Sequence, residues 1–421
     1  MSSFFLKKQI IEYLPIIFSI LIVLSGSINS SGIILLLIMS GYIFLKFSSI
    51  DKFLKQLLLI SLIIRIIFII FDVNFHLLPY EWDVEKFHLN ALRIKDNYIN
   101  NNYIFYHVDS SLSVRSYSFF MSWFYYLFGD HQILIRFINA FFSTLTIAKV
   151  YLICIEIFND KRTARFASFI VALFPSIIIF TCLNMRDSLV LFLSMAMLHR
   201  FILITKSKKK LINLFLFIIN LILITLLRNQ NLILFSFIFL IYFMYLFSKN
   251  FNLSKRSFLA YIIICVIVLS FIFFKHDFSH SILQYSNIEM KWRSTGGAAY
   301  LQGITYNNWY DIIKYIPIRL LYFTFGPFIW DVRSIFLILA FFEALLIIFF
   351  CYCTIKFFIK SRIKIDLKYK VILISFGIFG LVANAIIDSN YGTAIRHRMN
   401  YVIIFFIFAS SYLSKYRIKI F

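Results

Sequence analysis

Apolar runs long enough to cross a membrane recur along this whole chain, and they leave few folds open. A helix crosses the hydrocarbon with about 20 apolar residues, somewhat fewer where polar ends snorkel. Twelve such runs fall near 10–29, 32–48, 56–72, 133–153, 165–181, 188–204, 211–227, 231–247, 258–274, 334–357, 370–387 and 400–414. Lipid offers the backbone no hydrogen bonds, so the runs are expected to be helices. The period-2 alternation of a membrane barrel is absent. Of 421 residues, 61% are hydrophobic and 14% charged, far less charge than a soluble protein carries. The expected fold is all-α: a polytopic transmembrane bundle of twelve spans forming a single membrane-embedded domain over 1–421. Lys7 and Lys8 before the first run resemble a signal peptide. No small-residue cleavage site follows and a second run comes at once, so an uncleaved first helix is expected.

The formal net charge of +23 sits in short loops and has no aromatic-basic platform beside it. Membrane lipids are therefore the expected contact, and nucleic acid is not an expected partner. The basic loops alternate: Lys52/Lys55, Lys161/Arg162/Arg165, Lys206 with Lys208–Lys210, Lys249/Lys255/Arg256, Lys360/Arg362/Lys364/Lys368, then the tail Lys415, Arg417 and Lys419. By the positive-inside rule both termini are expected to be cytoplasmic. The outer face then receives 73–132, a turn near 182–187, 275–333 and 388–399. Two aromatic, amphipathic stretches in the long outer loops, Ser116–Phe128 and Ile312–Phe328, read as helices lying in the interface.

Ionisable side chains at the mouth of a span are costly to dehydrate and therefore mark candidate sites. The first is Tyr80-Glu81-Trp82-Asp83-Val84-Glu85-Lys86-Phe87-His88, directly after the run ending at Phe71, with Asn90 extending the polar cluster. On a helix, Asp83 and Glu85 point apart. The plain alternative is a solvated segment that starts an interfacial helix. The second is Asn184-Met185-Arg186-Asp187-Ser188 in a tight outer turn; Pro175 ahead of it can bend the incoming helix. Arg186 and Asp187 could instead pair and cap the next helix. The third is Asn390-Tyr391-Gly392-Thr393-Ala394-Ile395-Arg396-His397-Arg398, whose arginines place positive charge outside against the topology rule. Guanidinium groups match phosphate oxygens bidentately; the alternative is a lipid-headgroup anchor. Arg228, Arg293, Arg319 and Arg333 are individually weaker outer arginines.

Cys154, Cys182, Cys265, Cys351 and Cys353 lie in or beside apolar runs without metal-ligand spacing and read as small core hydrophobes. His276 and His280 would share a face only if their loop were helical. Hard carboxylates permit magnesium or manganese between Asp83 and Asp187, but nothing in the sequence requires a divalent cation. Arg65, Lys149 and Glu156 lie near span ends or in cytoplasmic halves, which argues against a lipid-sugar flippase or transporter.

Taken in order, several segments resemble the GT-C glycosyltransferases, in the branch of protein O-mannosyltransferases and the aminoarabinose transferase of lipid A. They are Trp82–Ala91, Phe119–Gly129, Arg136–Ala140, Ala164–Ala167 with Leu173-Phe174-Pro175, and Arg186–Leu189. The match is best over 56–205; later only Tyr322–Pro327 and Gly392–Arg398 are similar. The chain departs from that branch in its two extra leading spans and in Asp83-Val84-Glu85 where an Asp-Glu pair is usual. The resemblance implies transfer of a sugar from a polyprenyl-phosphate-linked donor to the hydroxyl of a glycan, lipid or protein acceptor at the outer face of a bacterial inner or plasma membrane. Asp83 and Asp187 would be catalytic. Glu85, His88, Arg186, Arg396, His397 and Arg398 would bind substrate. A surface-polysaccharide repeat-unit polymerase is the alternative enzyme.

Overall fold

A computed structural model describes residues 30–47, 50–78, 81–109, 111–250, 276–360 and 365–415. These form fifteen α-helices, one 3-10 turn at Ile329–Asp331 and an isolated antiparallel bridge between Ala299 and Asn390. The chain packs as two compact units, dividing between Asn229 and Gln230. The first contains α1 (Ser30–Phe47), α2 (Lys52–Phe75), α3 (Glu81–Ile99), α4 (Leu112–Phe128), α5 (Gln132–Phe158), α6 (Lys161–Leu173), α7 (Pro175–Thr181), α8 (Asp187–Thr205) and α9 (Lys210–Leu227). The second contains α10 (Gln230–Asn250), α11 (His276–Arg293), α12 (Trp309–Phe325), α13 (Ile335–Lys360), α14 (Leu367–Ala385) and α15 (Tyr391–Leu413).

Among the described residues, six helices (α2, α5, α8, α9, α13 and α14) are long and apolar enough to cross a membrane. A seventh span results if α6 and α7 are counted together across their 56° bend. The expected runs at 10–29 and 258–274 lie outside the described residues. α1 and α10 contribute shorter apolar stretches.

The bend has a local cause. Pro175 has no N–H to donate, and its ring disfavours helical geometry at the residue before it. Phe174 accordingly sits in extended backbone (φ −68°, ψ 121°), and Pro175 starts α7 at the first helical position, where its missing N–H costs little.

In the first unit α5 is central, packing on α2, α6 and α8. Asp51 caps α2, accepting from Phe53 N at 2.8 Å. It also accepts from Tyr151 Oη (2.8 Å) on α5 and Arg165 Nη2 (3.0 Å) on α6. One carboxylate thus ties three helix ends together. Arg65 lies near the middle of α2, not near a span end. It is wholly buried, donating to Ser143 Oγ at 2.9 Å and Ala172 O at 3.3 Å. A charge at that depth is tolerated because oxygens from α5 and α6 surround it.

In the second unit α15 packs against α13 and α14. The close approach of α14 requires Gly380, because an added Cβ would fall inside the Tyr401 ring. Asn308 begins α12 with a capping box, accepting from Asp311 N while Asp311 accepts from the Asn308 backbone. The segments expected on the outer face thus contain two helix-rich regions: α3 with α4, and α11 with α12. The expected interfacial helices correspond to α4 and α12; α3 and α11 are additional. The segment 388–399, expected as a loop, is mostly helix. Asn390 caps α15 by accepting from Gly392 N at 2.8 Å, so Arg396–Arg398 lie on the helix.

Candidate functional site

α2 ends in a left-handed residue, His76 (φ 47°), whose N–H returns to Asp72 O at 2.8 Å. The buried Asp72 carboxylate then accepts from Leu78 N (3.1 Å) and Arg136 Nη1 (2.7 Å). These bonds fix where the chain leaves the span and starts α3. Val84, Phe87, Ala91 and Ile94 form the buried face of α3, at helical spacing. That face packs on α4, with the Phe87 and Tyr117 rings edge to face at 5.0 Å. Asp83 and Glu85 are therefore exposed to solvent. Lys86 turns to Asp109 at 2.8 Å rather than to either of them.

His88 is half-buried one turn further on and lies with Nδ1 2.8 Å from Tyr125 Oη. Burial lowers the affinity of its imidazole for a proton, and the carboxylates of Asp130 and Glu85 only partly offset this. Near pH 7 His88 is thus mostly neutral and can accept from Tyr125. Burial in turn raises the Tyr125 phenol, which remains a donor.

The 182–186 turn is held from below. Asn139 Nδ2, wholly buried on α5, reaches Leu183 O at 2.7 Å and Tyr117 Oη at 2.8 Å. The Arg186 guanidinium stands over the Phe87 ring, 5.9 Å from its centre. The turn and α3 are therefore in contact, so the first and second polar segments belong to one region of the first unit. Asp187 opens α8, where a carboxylate faces the positive end of the helix dipole. It is wholly buried and accepts from Arg228, at the C-cap of α9, at 2.5 Å. Its ionic partner is thus Arg228, 41 residues away in sequence.

The third segment belongs to the second unit and surrounds Asp388. His397 donates from Nδ1 to Asp388 Oδ2 at 2.6 Å, and Arg293 ion-pairs with Oδ1. Burial alone would push this carboxyl up; the two cations outweigh it and hold it at about 2. Arg319, wholly buried on α12, donates to Ala385 O and Asp388 O, both at 2.8 Å. Arg398 is also wholly buried. It donates to Thr324 O at 3.2 Å and to Gly326 O, beside Glu343 Oε1 at 3.3 Å. Its guanidinium closes the end of α12. Arg396 and His397 are each 8% exposed.

Single-residue reading gave Arg228, Arg293 and Arg319 little weight and passed over Asp388. The signal available was charge pairing: buried carboxylates need partners, and outer-loop arginines can supply them. Among the described residues no three His, Cys, Asp or Glu side chains gather as a metal site. The described cysteines are free thiols, buried except for partly exposed Cys351, as small core residues would be.

Comparison with known proteins gives two findings. Residues 116–274 match a family model described as dolichyl-phosphate-mannose-protein mannosyltransferase. The fold is similar to that of the archaeal oligosaccharyltransferase AglB from Archaeoglobus fulgidus, solved in complex with an inhibitory peptide and a dolichol-phosphate. The TM-score is 0.50 at 14% identity, over 85% of this chain and 50% of that one. The chain spans about half the length of that solved protein. No curated protein matches the sequence. The family model thus matches one segment of the chain, and the structural likeness shows a shared fold.

Proposed function

We propose that the protein transfers a sugar from a polyprenyl-phosphate-linked donor to an acceptor hydroxyl at the outer face of the membrane, with Asp83 as general base. The observation that carries this is the placement of Asp83 on α3, exposed just beyond the C-terminal end of α2 in the region that also holds His88, Tyr125 and Arg186. A hydroxyl is a poor nucleophile until a base within reach takes its proton. The matched mannosyltransferase model and the dolichol-phosphate bound to the similar structure support a lipid-phosphate donor.

The acceptor O–H would pass its proton to the Asp83 carboxylate as its oxygen attacks the anomeric carbon. The bond from that carbon to the phosphate oxygen would break, leaving polyprenyl phosphate. A single displacement inverts the anomeric configuration. Glu85 and His88 would bind the acceptor, the latter as a neutral imidazole oriented by Tyr125. Arg186 would stabilise charge developing on the reacting groups.

Asp187, bonded to Arg228, would act as a positioning residue, fixing the start of α8 and with it Arg186. In the second unit Arg396 and His397 would bind an anionic substrate group such as a phosphate. Arg398 would act through the end of α12, since its guanidinium is occupied by backbone carbonyls. Twelve spans with both termini cytoplasmic complete the reading.

The test is transfer from a radiolabelled polyprenyl-phosphate sugar by the purified chain in vesicles. The reading predicts label in a new, lipid-free or extended glycan product with release of polyprenyl phosphate. Intact labelled donor moved from one leaflet to the other would contradict it and indicate transport.

A further inference from the structure

We infer that the second unit carries a carbohydrate-binding cleft of its own, suited to a hydroxylated ligand bearing one negative charge; that this ligand is a glycan substrate rests on the reading above. A cavity of about 700 Å³ lies between α11, the segment 294–307 and Ser389. That volume falls within the few-hundred to roughly 1,000 Å³ typical of small-ligand sites.

The cleft has a fixed wall. Asn287 staples Tyr306 from both sides, accepting from Tyr306 N and donating to Tyr306 O, each at 2.8 Å. Tyr306 donates from its hydroxyl to Ile386 O at 2.9 Å. Its ring packs with Leu283, Met290 and Ile312. Leu301, also in the wall, holds a left-handed backbone (φ 49°) that a leucine rarely adopts. Such strain persists only where the surroundings over-determine it, and it concentrates at binding sites.

The groups presented to a ligand select its chemistry. Gln284 and Asn307 offer amides, Thr305 a hydroxyl and Lys291 an ammonium, and all four are exposed. Among the described residues no carboxylate lines the cavity. Lys291 has no carboxylate partner among the described residues, whereas Arg293, two residues on, has both Glu289 and Asp388. Amides and hydroxyls can donate to and accept from sugar hydroxyls. A lone ammonium adds attraction for one anion, as on a uronic acid. The exposed polar rim suits a water-soluble glycan rather than a lipid tail.

The experiment measures binding without donor, so it is separable from transfer. Purified full-length protein is titrated with trigalacturonate and with maltotriose, beside Lys291→Ala, Thr305→Trp and Asp83→Asn. The inference predicts that trigalacturonate binds the parent and Asp83→Asn equally. It predicts at least tenfold weaker trigalacturonate binding by Lys291→Ala, and markedly weaker binding by Thr305→Trp, whose indole would obstruct the cleft. Maltotriose should bind more weakly than trigalacturonate and be insensitive to Lys291→Ala. Loss of transfer with this pattern intact would overturn the enzymatic reading alone. Failure of trigalacturonate to bind the parent, or equal binding by Thr305→Trp, would overturn the cleft even if transfer occurs.

Discussion

His397 donates to Asp388 across 2.6 Å, on the carboxylate whose other oxygen is held by Arg293. One buried anion thus links the start of α15 to the end of α11. Arg319 donates to the backbone carbonyl of the same aspartate, adding α12. Three elements of the second unit are fixed through Asp388 before any ligand is considered.

This arrangement has a pH signature. His397 and Arg293 hold the Asp388 carboxyl at about 2 in the fold, below its ordinary 3.8. A carboxyl with a depressed folded pKa contributes stability that is fully present above the unfolded value and is lost as pH falls through the folded one. The contribution at neutral pH is on the order of 2 kcal/mol. The thermal midpoint of the parent in detergent should therefore fall between about pH 4 and pH 2 more steeply than that of Asp388→Asn. The Asn variant should also be less stable at pH 7, because Arg293 and His397 lose their shared partner. Parallel pH profiles for the two proteins would count against the linkage.

Asp187 and Arg228 form a buried ion pair, so breaking it from one side should cost more than replacing both members. Removing one partner of such a pair costs about 3–5 kcal/mol, since the other charge remains buried. Asp187→Leu and Arg228→Met should each lower the thermal midpoint strongly, and the double variant should recover part of the loss. A double variant as unstable as the sum of the singles would show that the two side chains act independently.

Gly380 tests the packing of α14 on α15. Gly380→Ala would drive its methyl into the Tyr401 ring, which is 4% exposed and packs on Phe376 at 5.3 Å. Overpacking of this kind costs about 1–3 kcal/mol, against a gain in helix propensity below about 1 kcal/mol. Net destabilisation is expected from thermal unfolding. Stabilisation would mean that the ring has room to move.

Much of the helical framework was legible because lipid allows few alternatives to long apolar helices, and the break at Phe174–Pro175 followed from proline stereochemistry alone. α3 and α11 were less legible. Their polar faces resemble loop sequence, and their apolar positions are meaningful only once α4 and α12 are known to cover them. The start of α15 was hidden for a related reason. Arg396, His397 and Arg398 suggest an aqueous loop, but Asp388, Glu343 and the carbonyls at the end of α12 supply the partners that bring these charges inside. Such pairs span 9, 55 and 74 residues of sequence, beyond any local pattern. The proximity of Arg186 to Phe87 was likewise unreadable, because it depends on Asn139 holding the 182–186 turn against α4.

The two arginines of α15 should respond differently to substitution. Arg398→Lys should lower stability, because an ammonium cannot reproduce the guanidinium fork that serves Thr324 O, Gly326 O and Glu343. Arg396→Lys should lower transfer at equal expression, because it keeps charge but loses bidentate phosphate contact. A donor titration in which Arg396→Lys matches the parent would reject the phosphate role of Arg396.

The central claim is that Asp83 takes the proton of the acceptor, and the most direct measurement is the transfer rate of Asp83→Asn from a labelled polyprenyl-phosphate sugar. The side chain is exposed on α3, so the amide should leave folding and insertion unchanged. Loss of a general base slows a reaction by about 10²–10⁴-fold. A folded Asp83→Asn protein slowed by that factor, with donor binding retained, is the predicted result. Near-parental turnover by the same folded variant would contradict the account and remove Asp83 as the base.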